Sequence, residues 1–198
     1  ITIPVRPGFD PAEIPKIEQA LQERCSMRGI CRIFKIGFAR LYNILNCLAA
    51  KMPVNFGVDA SRLGDECQVD EIWTYCGSKD SKVWVWLGRY VKSGQIVAMH
   101  LGARDNGACR ELFDSMPNEY VQTATFYTDD YPVYSSVIPS AQHVVGKENT
   151  WSIEGFNNRI RKLINRCTRK TSGFSRDFKY HYYLLYICIC QFNLATRR

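Results

Sequence analysis

Three apolar segments lie close together in the chain, residues 68–76 (QVDEIWTYC), 83–91 (VWVWLGRYV) and 95–102 (QIVAMHLG), and they constrain the fold more than any other feature. All three are rich in the Val, Ile, Trp and Tyr that suit a pleated sheet, and Lys92-Ser93-Gly94 between the second and third is a hairpin-type turn. The pattern predicts an antiparallel meander. Beyond it come a short amphipathic helix over 106–116, a strand over 123–130 that ends in acids, and an edge strand over 143–145. A long helix follows from about Ser152 to Cys167, where Ile153, Phe156, Ile160, Leu163, Ile164 and Cys167 keep a 3.6-residue period. The order β-β-β-α-β, a short β, then α predicts an α/β fold, a mixed sheet flanked by helices.

Ahead of the meander the period is helical. Ile14, Ile17 and Leu21 mark one amphipathic helix, and Ser26 is the N-cap of a second with Ile30, Ile33 and Phe34 on its apolar side. A third helix after Gly37 turns Leu41, Ile44, Leu45 and Leu48 inward and Arg40, Asn43 and Asn46 elsewhere. Helix, tight turn near a glycine, then helix is the arrangement of a helix-turn-helix, with Arg40 and Asn43 as candidates for DNA contact. Three short helices also serve as a structural cap. Residues 51–66, with two glycines, a proline and no period, read as a linker. The expected organisation is a helical region over 1–50, a linker over 51–66 and an α/β domain over 67–198.

Charge is distributed unevenly. Residues 1–154 carry 16 Lys/Arg against 18 Asp/Glu, whereas residues 155–198 carry 10 against one, Asp177. Such a cationic carboxyl-terminal part favours a polyanionic partner, nucleic acid before an acidic membrane. Nine scattered cysteines, several in apolar runs such as YICIC (186–190), suit reduced core thiols in a reducing compartment, and the absence of any C-x-x-C pair argues against a zinc site. The apolar run at 182–190 is far shorter than the ~20 residues of a bilayer span, so no membrane association is expected. A chain that begins at Ile1 rather than Met is expected to be a fragment or a processed product.

Carboxylates inside strand-like sequence require an explanation, because burying a charge costs several kcal/mol unless it is compensated. Asp70 lies within the first strand, Asp129 at the end of the fourth and Glu154 in the first turn of the following helix. If strands one and four are neighbours, the three acids converge. Crowded anions stay ionised only around a strong positive charge, and Mg²⁺, which takes hard oxygen ligands, is the natural candidate. Two such ions would serve an in-line displacement at phosphorus. Glu154, Asn158 and Arg161 form one helical stripe, and Arg159, Lys162, Arg166, Arg169 and Lys170 add a basic track for backbone phosphates. Each acid also has a structural alternative: Glu154 as a helix-dipole partner, Asp129 and Asp130 as turn formers, Glu71 as an exposed strand residue.

The stretches VDEIWTYCG (69–77), TDDYPVY (128–134), IEGFNNRIRKL (153–163) and FSRDFKYHYYLLYICICQFN (174–193) resemble the DDE transposases of the insertion-sequence-1 family. The 24 residues between Asp129 and Glu154, and a basic residue seven after the glutamate, Arg161, match that family's spacing. The resemblance covers residues 68–194 well and the helical region only loosely. It implies a ribonuclease H-like fold, a catalytic triad of Asp70, Asp129 and Glu154 holding two Mg²⁺ or Mn²⁺ ions, cleavage of double-stranded DNA at transposon ends and joining of the freed 3′-OH to target DNA. Asn158 and Arg161 would position the DNA, within a homo-oligomeric synaptic complex, in the bacterial cytoplasm (nucleoid) or a eukaryotic nucleus according to host. The zinc-binding cysteine motif with which that family usually begins is absent, and Asp130 stands beside Asp129 as a second candidate ligand. Two other functions stay open on the residues alone: a structure-selective nuclease or resolvase of the same fold, and a non-catalytic DNA-binding protein derived from a transposase.

Overall fold

The computed structural model describes residues 10–59, 65–168 and 173–196. Its centre is a five-stranded sheet of order β3-β2-β1-β4-β5, formed by β1 (Glu66–Tyr75), β2 (Lys82–Tyr90), β3 (Ile96–Gly102), β4 (Thr125–Thr128) and β5 (His143–Val145). The expected meander is present, with β1–β2 and β2–β3 antiparallel, while β4 pairs parallel to β1 and β5 parallel to β4. Gly94 takes φ 72° in the β2–β3 turn, a left-handed conformation that glycine adopts without strain. This mixed sheet, with three antiparallel strands followed by two parallel ones, is the ribonuclease H-like strand order.

Successive side chains of a strand point to opposite faces, so each face of the sheet builds its own core. One face packs on α4 (Asn106–Asp114), α5 (Asn118–Thr123) and α6 (Pro132–Val137), through Cys67, Val69, Trp86, Leu112, Phe113, Phe126 and Tyr134. The helices α5 and α6 are additions to the sequence expectation. Pro132 at the start of α6, where a missing N–H costs nothing, is the signal that marks it. The other face meets α7 (Trp151–Leu163) and α8 (Phe178–Ala195), backed in turn by α1 (Ile14–Gln22), α2 (Met27–Ile33) and α3 (Phe38–Lys51).

Helix α8 begins at the Asp177 cap, which accepts from the Tyr180 amide, and is apolar around its whole circumference because it lies between sheet and helices. Its Asn193 is fully buried and accepts from the Ile96 amide at 2.8 Å, while its Nδ2 donates to the Ile96 and Phe56 carbonyls. The amino-terminal helices share this core: Ile17, Leu21, Ile30, Leu41, Ile44, Leu45 and Leu48 pack in one cluster with Ile72, Val85, Ile160 and Ile187. Ser26 caps α2 as expected, its Oγ accepting from the Gly29 amide. Ile33, expected on the apolar side, is instead 62% exposed, because α2 ends there and Lys35 turns the chain with φ 51°.

Helix α7 also differs from expectation. It stops at Leu163, Ile164 is extended, and a short 3₁₀ turn over Asn165–Cys167 replaces the predicted last turn. Ile164 and Cys167 are buried all the same, which is why the apolar period runs past the helix end. All nine cysteines are free thiols, and no helix among the described residues is long and apolar enough to cross a membrane.

Candidate active site

Strand alternation separates the two adjacent carboxylates of β1. Gln68, Asp70, Ile72 and Thr74 face α7 and α8, whereas Cys67, Val69 and Glu71 face α4 and α6. On the second face Glu71 is buried and neutralised. Arg104 donates to its Oε1 from Nε at 2.7 Å and NH2 at 2.6 Å, and the Tyr134 hydroxyl donates to Oε2. Arg104 is held in turn against the rings of Tyr131 and Trp84, with its guanidinium carbon 3.9 and 4.6 Å from their centroids. Glu71 is therefore a buried ion-pair member rather than the exposed strand residue its position suggested.

Asp70 has no cationic partner among the described residues. Its Oδ1 accepts from the Glu71 amide at 2.8 Å and its Oδ2 from Asn157 Nδ2 at 2.6 Å. Its carboxyl is pushed up from the ordinary 3.8 to about 7, by burial first, then by the charges of Glu71 and Asp129, against those two hydrogen bonds. Asp129 sits just beyond β4. The parallel register pairs Glu66 with Thr125, Cys67 with Phe126 and Gln68 with Tyr127, and extending it by two residues sets Asp129 opposite Asp70, where neighbouring strands lie about 4.8 Å apart. Asp129 accepts from the Tyr131 amide at 3.1 Å and is half-buried, whereas Asp130 is exposed.

Helix α7 is fixed on this strand by amide side chains. Gln68, buried, accepts from the Ile153 amide at 2.8 Å and donates to the Asn149 carbonyl, which anchors the first turn. One turn on, Asn157 reaches Asp70, and its Oδ1 is buried with no hydrogen-bond partner among the described residues. Glu154, three residues before Asn157 and so on the adjoining side of the helix, is exposed and accepts from Thr150 Oγ1 at 3.2 Å. Asp70 and Asp129 thus lie together, Glu154 is carried by the first turn of the helix that Asn157 ties to Asp70, and no three acids, histidines or cysteines among the described residues are gathered closely enough to hold a metal as they stand. A buried carboxylate with a raised pKa, a second carboxylate beside it and an orphaned amide oxygen form an all-oxygen donor set that suits a hard divalent cation.

The basic candidates divide. Asn158, Arg159 and Lys162 are exposed on the outer side of α7, with Arg159 over the Phe192 ring at 5.1 Å, and Arg161 is half-buried. Arg166 leaves this track. The 3₁₀ turn directs it inward, where it donates to Ser175 Oγ at 3.0 Å. Arg169 and Lys170 lie outside the described residues. In α3 Asn43 is exposed and Arg40 half-buried, while Leu41, Ile44, Leu45, Cys47 and Leu48 are committed to the core. Sequence reasoning missed Gln68, Asn157 and Arg104. The first two had a signal: uncharged amides placed where an apolar period predicts burial.

Residues 66–192 match the family described as IS1 transposase. The chain is 35% identical over 115 residues to the insertion element iso-IS1n protein InsB of Shigella dysenteriae, covering 58% of this chain and 86% of that one. It is 28% identical over 114 residues to the insertion element IS1 protein InsB of Shigella flexneri, again 58% and 86%. Among solved structures, the HTLV-2 integrase catalytic core domain in complex with magnesium has 13% identity and a TM-score of 0.43, over 64% of this chain and 83% of that one.

Proposed function

The chain belongs to the IS1 transposase family, and from that premise we propose that it cuts double-stranded DNA at transposon ends and joins the freed 3′-OH to target DNA, with Asp70, Asp129 and Glu154 as the catalytic acids. The observation that supports this reading is the placement of Asp70 on β1 beside Asp129 just past β4, with α7, the helix that carries Glu154, tied to Asp70 through Asn157.

The three carboxylates would hold divalent cations, Mg²⁺ or Mn²⁺ and two in number, which supply activation of the attacking oxygen and neutralisation of charge at the phosphate. Ligation requires the Glu154 side chain to leave Thr150 and swing toward Asp70, a rotamer change open to an exposed glutamate. Asn157 fixes one oxygen of Asp70 and leaves its own Oδ1 for water or substrate. The ion pair with Arg104 keeps Glu71 on the far face, so that it does not compete as a ligand. Asn158, Arg159 and Lys162, exposed on the outer side of α7, and the half-buried Arg161 would contact the DNA backbone, which fixes register without reading sequence. The helices over 1–50, with Arg40 and Asn43, are assigned to DNA as a helical region joined through 51–66 to the catalytic domain over 67–198. A homo-oligomer that pairs two transposon ends, in the cytoplasm (nucleoid) of a bacterial host, completes the proposal.

The test is a strand-transfer assay with pre-cut terminal DNA and Mg²⁺ or Mn²⁺. Joining by the parent chain and its loss in Asp70→Ala, Asp129→Ala and Glu154→Gln support the assignment. Cutting without joining favours a nuclease of the same fold, and undiminished joining by Asp70→Ala overturns the triad.

A further inference from the structure

A cavity of about 410 Å³ opens between the amino-terminal helices and the connection from α7 to α8, lined by Arg28 of α2, Phe38 and Tyr42 of α3, Arg166, Phe174 and Tyr180. It is well removed from the acids. Ser175 at its floor bridges to Cys76 just past the end of β1, six residues and so about 20 Å along the strand from Asp70.

Its floor is a cation without a counter-charge. The Arg166 guanidinium is largely withdrawn from water, donates to Ser175 Oγ, and has no carboxylate in ion-pair range among the described residues. Ser175 Oγ is shared with His181 Nδ1 at 2.9 Å, and His181 Nε2 with Thr74 Oγ1 at 2.8 Å; burial and Arg166 pull His181 down to about 4, so the residues beneath Arg166 are neutral at pH 7. The cavity's one acid among the described residues, Asp177, is engaged in capping α8. A desolvated guanidinium is costly unless an anion meets it, and burial pulls the pKa of Arg166 below its ordinary value. The walls are aromatic. Tyr42 stacks on Tyr180 with centroids 4.2 Å apart, and Phe38 continues the surface at 6.1 Å from Tyr42, 41% exposed.

A cation beneath aromatic faces, in a volume within the roughly 300–1,000 Å³ of small-ligand sites, is the chemistry of a nucleotide unit: phosphate on guanidinium, base on ring. We infer that this cavity receives one unpaired nucleotide of a DNA strand, its phosphate on Arg166 and its base against Phe38 and Tyr42. The inference rests on the transposase reading and adds a second, non-catalytic subsite to it, made jointly by α2, α3 and the α7–α8 connection.

The experiment is fluorescence anisotropy with the full chain in EDTA, comparing a blunt duplex with the same duplex carrying a three-nucleotide single-stranded overhang. The parent chain is expected to bind the overhang DNA at least about tenfold more tightly, as base-on-aromatic stacking allows. Arg166→Gln and Phe38→Ala are expected to lose that preference and keep their affinity for the blunt duplex. Because Phe38 is exposed, its variant keeps the test valid if Arg166→Gln fails to fold. Equal affinity of the parent chain for both DNAs, or a preference that survives Phe38→Ala, overturns the proposal. Strand transfer is scored separately, so a failure of catalysis with the overhang preference intact is distinguishable from a failure of the subsite.

Discussion

Asn157 donates from Nδ2 to Oδ2 of Asp70 across 2.6 Å, joining a helix to a strand 87 residues away in the chain, while its own Oδ1 is buried and unpartnered. One side chain thus orients the acid and presents a free acceptor beside it. Asn157→Ala removes the one side-chain donor to Asp70 among the described residues, and losing a hydrogen bond typically costs about 0.5–1.5 kcal/mol, rising to about 1.5–3 where the acceptor is ionised. The variant should melt at a lower temperature and transfer strands more slowly, with the deficit in kcat rather than in DNA affinity. Single-turnover rates at saturating DNA check this.

The structure explains why this residue was not legible. Periodicity places α7 against the sheet but does not fix its rotation to within one residue, so the sequence points to Asn158, in line with Glu154 and Arg161, while the buried neighbour is Asn157. The rotation is set by Gln68, whose bonds to Ile153 and Asn149 span more than 80 positions. Glu71 was ambiguous for a similar reason: strand alternation sends it away from Asp70, but its partners Arg104 and Tyr134 come from other elements. The apolar period continues to Cys167 and nothing in the local sequence marks the helix stop at Leu163, so the sequence alone puts Arg166 on an outer basic track. The meander, the edge strand and the core faces of α1, α3 and α7 were legible, since period and turn chemistry alone determine them.

The pH dependence of stability follows from Asp70. Its carboxyl titrates near 7 in the folded chain and near 3.8 when unfolded, so the folded state holds a proton that the unfolded state releases. Stability from this group is fully present below about pH 4 and is lost as pH rises through 7. In metal-free buffer Asp70→Asn should therefore raise the melting temperature more at pH 8 than at pH 5. Equal gains at both values would contradict the environment described for Asp70.

His181 acts in the opposite direction. Enclosed between Thr74 and Ser175, it is pulled down from 6.5 to about 4 by burial and by Arg166. The unfolded chain takes up its proton first, so stability falls as pH drops from about 6.5 toward 4, by up to about 3 kcal/mol. The two slopes partly cancel in the parent chain. Urea midpoints of Asp70→Asn should fall between pH 7 and 5, and His181→Asn in that background should remove most of the fall, leaving the part due to His100 and His143, which burial also lowers.

Breaking the pair on the other face should be costly. Arg104→Ala leaves Glu71, whose side chain is 2% exposed, with Tyr134 alone as a side-chain partner among the described residues. Because Arg104 is itself partly exposed, the expected loss is about 2 kcal/mol, below the ~3–5 of a fully buried pair. Neutralising both partners, Glu71→Gln with Arg104→Met, should restore most of it, as a denaturation double-mutant cycle would show.

The central claim is that Asp70, Asp129 and Glu154 close on divalent cations once Glu154 leaves Thr150. Anomalous diffraction from Mn²⁺-soaked crystals tests it most directly. The account predicts manganese density bound to both Asp70 and Asp129, with the Glu154 carboxylate turned toward it. Ordered manganese elsewhere on the chain, with Glu154 still on Thr150 and nothing between the two aspartates, would contradict it.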